Sequence, residues 1–116
     1  MIARERIRKS INHEQIRTFL CYPNLSVKIV ATHAGISPSR DGATHQATED
    51  IAVMSVMPNM TVIVPTDYNM TKAAIRAAIE HKGPVYIRLG RDKLPIIYDE
   101  DMDFKIGKAI DLKKGK

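Results

Sequence analysis

The chain has no tryptophan, a single cysteine, and six aromatic side chains in 116 residues. The lone Cys21 excludes an internal disulfide and offers no second thiolate for a metal, so we interpret it as a structural residue. No apolar run approaches the roughly 20 residues that span a bilayer, and the basic start is not followed by the apolar segment of a signal peptide. We therefore expect a cytoplasmic protein without membrane contacts.

Most of the chain also has no marked excess of basic or acidic side chains. The net charge of +5 arises at the two ends, because residues 21–112 carry ten basic and eleven acidic side chains. A nucleic-acid interface is expected to combine a basic face with interleaved aromatic side chains. We therefore expect no nucleic-acid binding.

The spacing of apolar residues predicts helices and strands in alternation. A helix over residues 13–21 has Ile16, Phe19 and Leu20 on one face. Short, continuous apolar runs predict buried strands over residues 27–31, 61–65 and 85–89.

Two further helices are predicted between these strands. The first covers residues 43–57, with Ala47, Ile51 and Met54 on its inward face. The second covers residues 68–82, with Asp67 as its N-cap and Gly83-Pro84 as its stop signal. Its inward residues are predicted to be Ile75, Ala78 and Ile79.

This order of elements predicts an α/β fold, a three-layer, open, mostly parallel sheet with right-handed crossover helices. Three strands leave two open sheet edges, so we expect an incomplete unit. The acidic stretch 99–103 is typical of an exposed lead into a linker.

Four polar residues follow the carboxyl ends of predicted parallel strands: His33, Asp41, His45 and Arg91. Because such ends share one rim of a sheet, we expect a common site for a polyol phosphate. Each residue also has an ordinary interpretation. Asp41 can belong to a simple turn, Asp41 or Thr44 can cap the second helix, and the other three side chains can be solvated. The spacing of the two histidines and the aspartate matches no tight metal motif, so we expect no metal site.

Several segments together resemble the pyrimidine-binding domain of transketolase, in the form found as a C-terminal section or subunit. They are Glu14–Arg17, Tyr22–Gly35, Asp41–Gln46, Pro58–Val62 and Gly83–Arg91, and the resemblance covers about residues 12–112. Deoxyxylulose-phosphate synthase shares the Asp-Gly-x-Thr-His element, but its pattern differs at Thr32-His33-Ala34-Gly35, so His33 favours transketolase.

The resemblance implies transfer of a two-carbon ketol unit between sugar phosphates, with thiamine diphosphate and Mg²⁺ in the complete enzyme. By the same resemblance, Asp41 reads the configuration of the sugar hydroxyls, and His33 and Arg91 hold the phosphate. His45 is implied to be catalytic, beside the aminopyrimidine of the cofactor and the reactive hydroxyls of the donor. These side chains suit such roles, because carboxylates accept from hydroxyls, imidazoles exchange protons near neutrality and guanidinium groups match phosphate.

The sequence also departs from the family pattern. The glutamate that activates the cofactor stands in a Gly-Ile-Ala-Glu-Gln-Asn segment that this sequence does not contain, and Arg40 occupies a position that is usually Glu. We therefore expect the isolated chain to be inactive and to bind no cofactor tightly. The expected partner is an N-terminal, pyrophosphate-binding transketolase subunit or domain, in a homo- or hetero-oligomer.

Two interpretations remain open at this stage. The chain is either a substrate-contacting part of a transketolase, or a non-catalytic module that dimerises or pairs with a transketolase chain. The expected organisation is an unmatched basic segment over residues 1–11, a partial pyrimidine-binding domain over 12–95, and a linker over 96–116 toward a further domain.

Overall fold

A computed structural model describes residues 2–3, 11–113 and 115. Four strands form one sheet in the order β1-β2-β4-β3, and every pairing is parallel. The strands are β1 (Ile2–Ala3), β2 (Lys28–Ala31), β3 (Thr61–Ile63) and β4 (Val85–Arg88). The three predicted strands are confirmed, and the short β1 was not predicted. Most of the basic N-terminal segment, residues 4–10, lies outside the described residues.

The two faces of the sheet carry separate hydrophobic clusters. Ile29 and Tyr86 lie in register on one face and pack with Cys21, Met54 and Met57. The other cluster joins Ile63, Ala74, Ala78, Val85 and Ile87. Because helices cover both faces, the predicted three-layer α/β architecture is confirmed.

The first helix contains a wide turn that the sequence did not predict. Helix α1 (Ile11–Gln15) continues into a π-helical segment (Ile16–Cys21), and Tyr22 is the C-cap of that segment. The wider turn brings residues five apart onto one face, so Cys21 is buried. Phe19, predicted to face inward, is 67% exposed, and that part of the prediction is wrong.

The second helix is much shorter than predicted. Helix α2 (Asp50–Ser55) starts after Glu49, so neither Asp41 nor Thr44 caps it. Residues 39–41 and 43–45 instead form two separate 3-10 turns. Between them Gly42 adopts φ 80°, and after them Ala47 pairs with Gly35 in an antiparallel bridge. That pairing draws the segment away from a helix, so Ala47 lies outside α2. On α2 itself Met54 is buried and Ile51 is exposed.

The third helix begins where the sequence predicts. Helix α3 (Tyr68–Glu80) follows Asp67, whose Oδ1 accepts from the Met70 amide at 2.8 Å. Ala74 and Ala78 lie four residues apart on the face of α3 that packs against the sheet. Their small side chains allow the helix to lie close to the strands. Ile75 and Ile79 were predicted to face inward and are exposed, Ile79 by 70%, so that assignment is wrong.

The chain after β4 returns across the start of α3. Asp67 Oδ2 accepts from the amides of Ile97 at 2.6 Å and Tyr98 at 2.9 Å. Asn69 Nδ2 donates to the Tyr98 carbonyl at 2.8 Å. Farther along, Phe104 and Ile106 pack against the α3 side of the core. The residues described by the structure contain no helix that is long and apolar enough to cross a membrane.

Replacing Asp67 with asparagine is expected to reduce the pH dependence of stability in acid. The amides of Met70, Tyr98 and Ile97 lower the pKa of the Asp67 carboxyl below its usual value of about 3.9. The unfolded state therefore takes up its proton first, so this contribution to stability is present above about pH 4 and is lost as the pH falls through the folded pKa. Urea midpoints measured from about pH 6 to about pH 3 should fall less steeply for Asp67→Asn. Parallel curves for the two proteins would contradict this.

Candidate functional site

The loops that follow β2 and β4 lie side by side, because these two strands are parallel neighbours. The Ala34 amide donates to the Leu89 carbonyl at 3.1 Å, and the Arg91 amide donates to Ser37 Oγ at 3.3 Å. Arg91 Nη1 also donates to the carbonyl of Pro38 at 3.3 Å. The structure therefore brings together the two loops that carry the predicted site residues.

Asp41 and Arg91 meet at this rim. Asp41 Oδ2 lies 3.6 Å from Arg91 Nη1, and their side chains are 46% and 44% exposed. An ion pair this exposed contributes about 0–1 kcal/mol, so a ligand can exchange with either partner at little cost. An adjacent carboxylate and guanidinium can bind a sugar hydroxyl and a phosphate, respectively.

The two histidines lie in the loop that follows β2, and each contacts the threonine that precedes it. His33 Nδ1 lies 3.0 Å from Thr32 Oγ1, and His45 Nδ1 lies 2.8 Å from Thr44 Oγ1. Within residues 11–113, no hydrogen bond or ion pair connects either imidazole to Asp41 or Arg91.

The backbone of this loop is held in unusual conformations. His33 has φ 62° and Ser39 has φ 43°, backbone angles that residues other than glycine seldom adopt. Such conformations cost on the order of 1 kcal/mol each and concentrate at binding and active sites. The buried Pro38, between these residues, fixes the loop to the body of the domain.

An open groove of about 430 Å³ lies beside the rim. Its walls include Gly35, Ser37, Thr48, Arg88 and Asp92. None of the four predicted site residues lines this groove, which adjoins Arg91 through Ser37. The predicted residues therefore form an exposed edge rather than the floor of a pocket.

A buried polar cluster that the sequence did not reveal lies beneath this region. Asp50 is 6% exposed, and its Oδ2 accepts from Tyr86 Oη at 2.8 Å and from Arg88 Nε at 2.9 Å. Burial and then the contact with Asp50 raise the pKa of the Tyr86 hydroxyl. The signal available in the sequence was Tyr86 and Arg88 at a spacing of two, which places both polar ends on one face of β4.

The part of the chain that the structure describes has no group of three or more His, Cys, Asp or Glu side chains that could hold a metal ion. Its two buried carboxylates, Asp50 and Asp67, both accept several hydrogen bonds from the protein itself.

Comparison with known proteins agrees with this architecture. Residues 7–96 match the family described as "Transketolase, pyrimidine binding domain". The chain is 56% identical over 98 residues to a Methanocaldococcus jannaschii protein named "Putative transketolase C-terminal section", covering 83% of this chain and 31% of that protein. It is 35% identical over 103 residues to an apulose-4-phosphate transketolase subunit of Phocaeicola vulgatus, covering 88% of this chain and 33% of that protein.

A solved structure described as "Split gene transketolase, inactive beta4 tetramer" superposes with a TM-score of 0.72 at 49% identity. The match covers 82% of this chain and 30% of that one. The chain thus spans about a third of the length of each of these relatives. The matched family region contains strands β2, β3 and β4 and the four predicted site residues. The chain belongs to the transketolase pyrimidine-binding domain family and is related to transketolase C-terminal sections and β subunits.

Proposed function

We propose that this chain forms part of a transketolase that transfers a two-carbon ketol unit between sugar phosphates. Within that enzyme it supplies contacts to the substrate rather than activation of the cofactor. The observation that carries the proposal is the exposed Asp41–Arg91 pair, held at the carboxyl ends of two adjacent parallel strands. Ligands of open α/β sheets bind at this edge.

The rim residues have complementary roles in this proposal. Asp41 accepts hydrogen bonds from sugar hydroxyls and so senses their configuration. Arg91 binds the phosphate through two parallel hydrogen bonds, and His33 provides a second contact to the same group. In this proposal a sugar phosphate replaces the exposed ion pair between Asp41 and Arg91 with a more extensive set of contacts.

His45 is the catalytic residue in this proposal. Its Nδ1 contacts Thr44 Oγ1 at 2.8 Å, which restricts the orientation of the ring. We assign Nε2 as the nitrogen that exchanges a proton with the reactive hydroxyl of the sugar, beside the aminopyrimidine.

The described residues do not fit the requirements for binding and activating thiamine diphosphate alone. When bound in a complete enzyme, this cofactor supplies the carbanion that carries the two-carbon unit. Its activation requires a carboxyl group, yet the buried carboxylates Asp50 and Asp67 are engaged by Tyr86, Arg88 and backbone amides. The described residues also lack a cluster for Mg²⁺. We propose that a second transketolase chain completes the site, in a homo- or hetero-oligomer.

A non-catalytic role is the second candidate. The solved structure to which this chain is similar is described as an inactive β4 tetramer. Several large apolar side chains of this chain are also exposed, among them Phe19, Tyr22 and Val56. These surfaces suit a module that dimerises or pairs with a transketolase chain without turnover.

Titration of the labelled chain with xylulose 5-phosphate tests the proposed substrate contacts. Chemical shifts of the amides around His33, Asp41, His45 and Arg91 should change in a saturable manner. Arg91→Met should weaken binding by about ten- to a hundredfold, because hydrogen bonds to charged groups contribute about 1.5–3 kcal/mol. Arg76→Met is the matched control, since Arg76 is an exposed arginine on α3, away from the rim.

Two results would contradict the proposal. The first is the absence of saturable shifts in the folded wild-type chain. The second is equal loss of binding in Arg91→Met and Arg76→Met, which would indicate general attraction of phosphate to a basic protein.

A further inference from the structure

The turn at Gly35 determines where the site loop runs after it leaves β2. The Gly35 amide donates to the Ala47 carbonyl at 2.8 Å, and the preceding amide of Ala34 donates to Leu89. Gly35 has φ 67°, in the left-handed region that favours glycine. The turn is therefore attached on one side to the segment before α2 and on the other to the continuation of β4.

The side chain of Arg88 occupies the space that a side chain at position 35 would need. A Cβ atom placed on Gly35 would lie 2.7 Å from Arg88 Nη2, which is closer than real Cβ contacts. The guanidinium therefore packs directly against the Cα of Gly35. Two independent features favour glycine at position 35, its φ value and the position of the Arg88 guanidinium.

Arg88 is itself held from below by the buried cluster. Its Nε donates to Asp50 at 2.9 Å, and the same carboxylate oxygen accepts from Tyr86 Oη. Asp50 and Tyr86 are almost fully buried, and Arg88 is only one-fifth exposed. A buried carboxylate with these partners has few alternative arrangements, so the guanidinium is fixed in place.

We infer that Arg88 is a positioning residue, whose guanidinium links the buried Asp50 to the Gly35 turn and so sets the place of the site loop. Two and three residues after Gly35, the same loop presents Ser37 and Pro38 to Arg91. Arg88 thus acts on the rim through backbone position, without contact with Arg91. Its effect on the loop follows from these contacts alone, whereas its effect on sugar-phosphate binding rests on the proposed function.

Arg88→Lys tests the inference with little risk to folding. Lysine keeps a positive charge near Asp50 but lacks the planar guanidinium whose Nη2 lies against Gly35. Amide hydrogen exchange at Gly35 should accelerate by about tenfold or more, because the turn opens locally. Exchange at Tyr86 and Ile87 in β4 should stay within about twofold of wild type, as expected for a local effect. The matched control, Arg76→Lys, should leave all these rates unchanged.

Uniform acceleration of exchange at Gly35, Tyr86 and Ile87 would overturn the inference, since it indicates a general loss of stability. Unchanged exchange at Gly35 would overturn it as well. If Arg88→Lys does not fold, the double variant Asp50→Asn/Arg88→Met removes both charges together and should show the same selective change at Gly35.

Coupling between Gly35 and Arg88 provides a second readout. Gly35→Ala should reduce the folding equilibrium constant strongly in the wild type. The reduction should be several-fold smaller in the Arg88→Lys background, because the nitrogen that the alanine Cβ would meet is absent there. The free-energy cost of placing alanine at a positive φ is the same in both backgrounds, so it cancels when the two losses are compared. Equal losses in the two backgrounds would overturn the inference.

The functional consequence is measured by the affinity for xylulose 5-phosphate. Arg88→Lys should weaken binding about three- to tenfold through the displaced loop, less than Arg91→Met does. Wild-type affinity in a variant whose Gly35 exchange is accelerated would overturn the link to the rim. If the wild-type chain itself fails to bind, the proposed function fails, whereas the exchange experiment still decides the role of Arg88.

Discussion

Replacing Asp50 with alanine is expected to lower the free energy of unfolding by about 3 kcal/mol, because it leaves a largely buried guanidinium without its partner. The same change leaves the Tyr86 hydroxyl without its acceptor in the interior. A loss of this size is a large part of the stability of a small domain, which is about 5–15 kcal/mol. Urea denaturation followed by circular dichroism measures the change.

The control for this experiment is Asp101→Ala, at an exposed carboxylate beyond β4, which should change stability by less than about 0.5 kcal/mol. The variant Asp50→Leu/Arg88→Met should recover much of the loss, because it removes both charges from the interior. If Asp50→Ala behaves like the surface control, the cluster does not stabilise the fold.

The isolated chain is expected to fold and yet to show no ketol transfer. The expectation of folding rests on the two packed clusters on either side of the sheet, both formed by described residues. Catalysis requires a carboxyl group that activates the cofactor and a site for its metal. Among the described residues, the buried carboxylates Asp50 and Asp67 are engaged by other groups, and no group of three or more His, Cys, Asp or Glu side chains is placed to hold a metal ion. Loss of activation removes the reactive form of the cofactor, so the expected effect exceeds that of losing any single substrate contact, which is about 1.5–3 kcal/mol.

The strands and the start of α3 could be predicted because their signals are local. Continuous apolar runs identify strands that are covered on both faces, and Asp67 caps the helix that follows it. The second helix could not be placed, because the Gly35–Ala47 bridge that displaces its start joins residues from different parts of the chain. The exposure of Ile79 likewise depends on which face of α3 meets the sheet.

In the candidate site, too, some features could be predicted from the sequence and others could not. The proximity of Asp41 and Arg91 follows from their positions after neighbouring parallel strands, and their side chains lie 3.6 Å apart. The Asp50 cluster could not be recognised, because Asp50 reads as an ordinary polar residue of a helix surface. Its partners Tyr86 and Arg88 lie 36 and 38 residues away in the sequence. The roles of His33, Asp41, His45 and Arg91 all remain predictions, and so do the domain boundaries.

The most direct test of the claim that a second chain completes the site is a ketol-transfer assay on the purified, folded chain with xylulose 5-phosphate, ribose 5-phosphate, thiamine diphosphate and Mg²⁺. We predict no product above the rate without protein, in the same sample in which xylulose 5-phosphate binds at the rim. Measurable turnover that increases with the concentration of this chain and disappears in His45→Ala would contradict this, since the chain would then activate the cofactor without a partner.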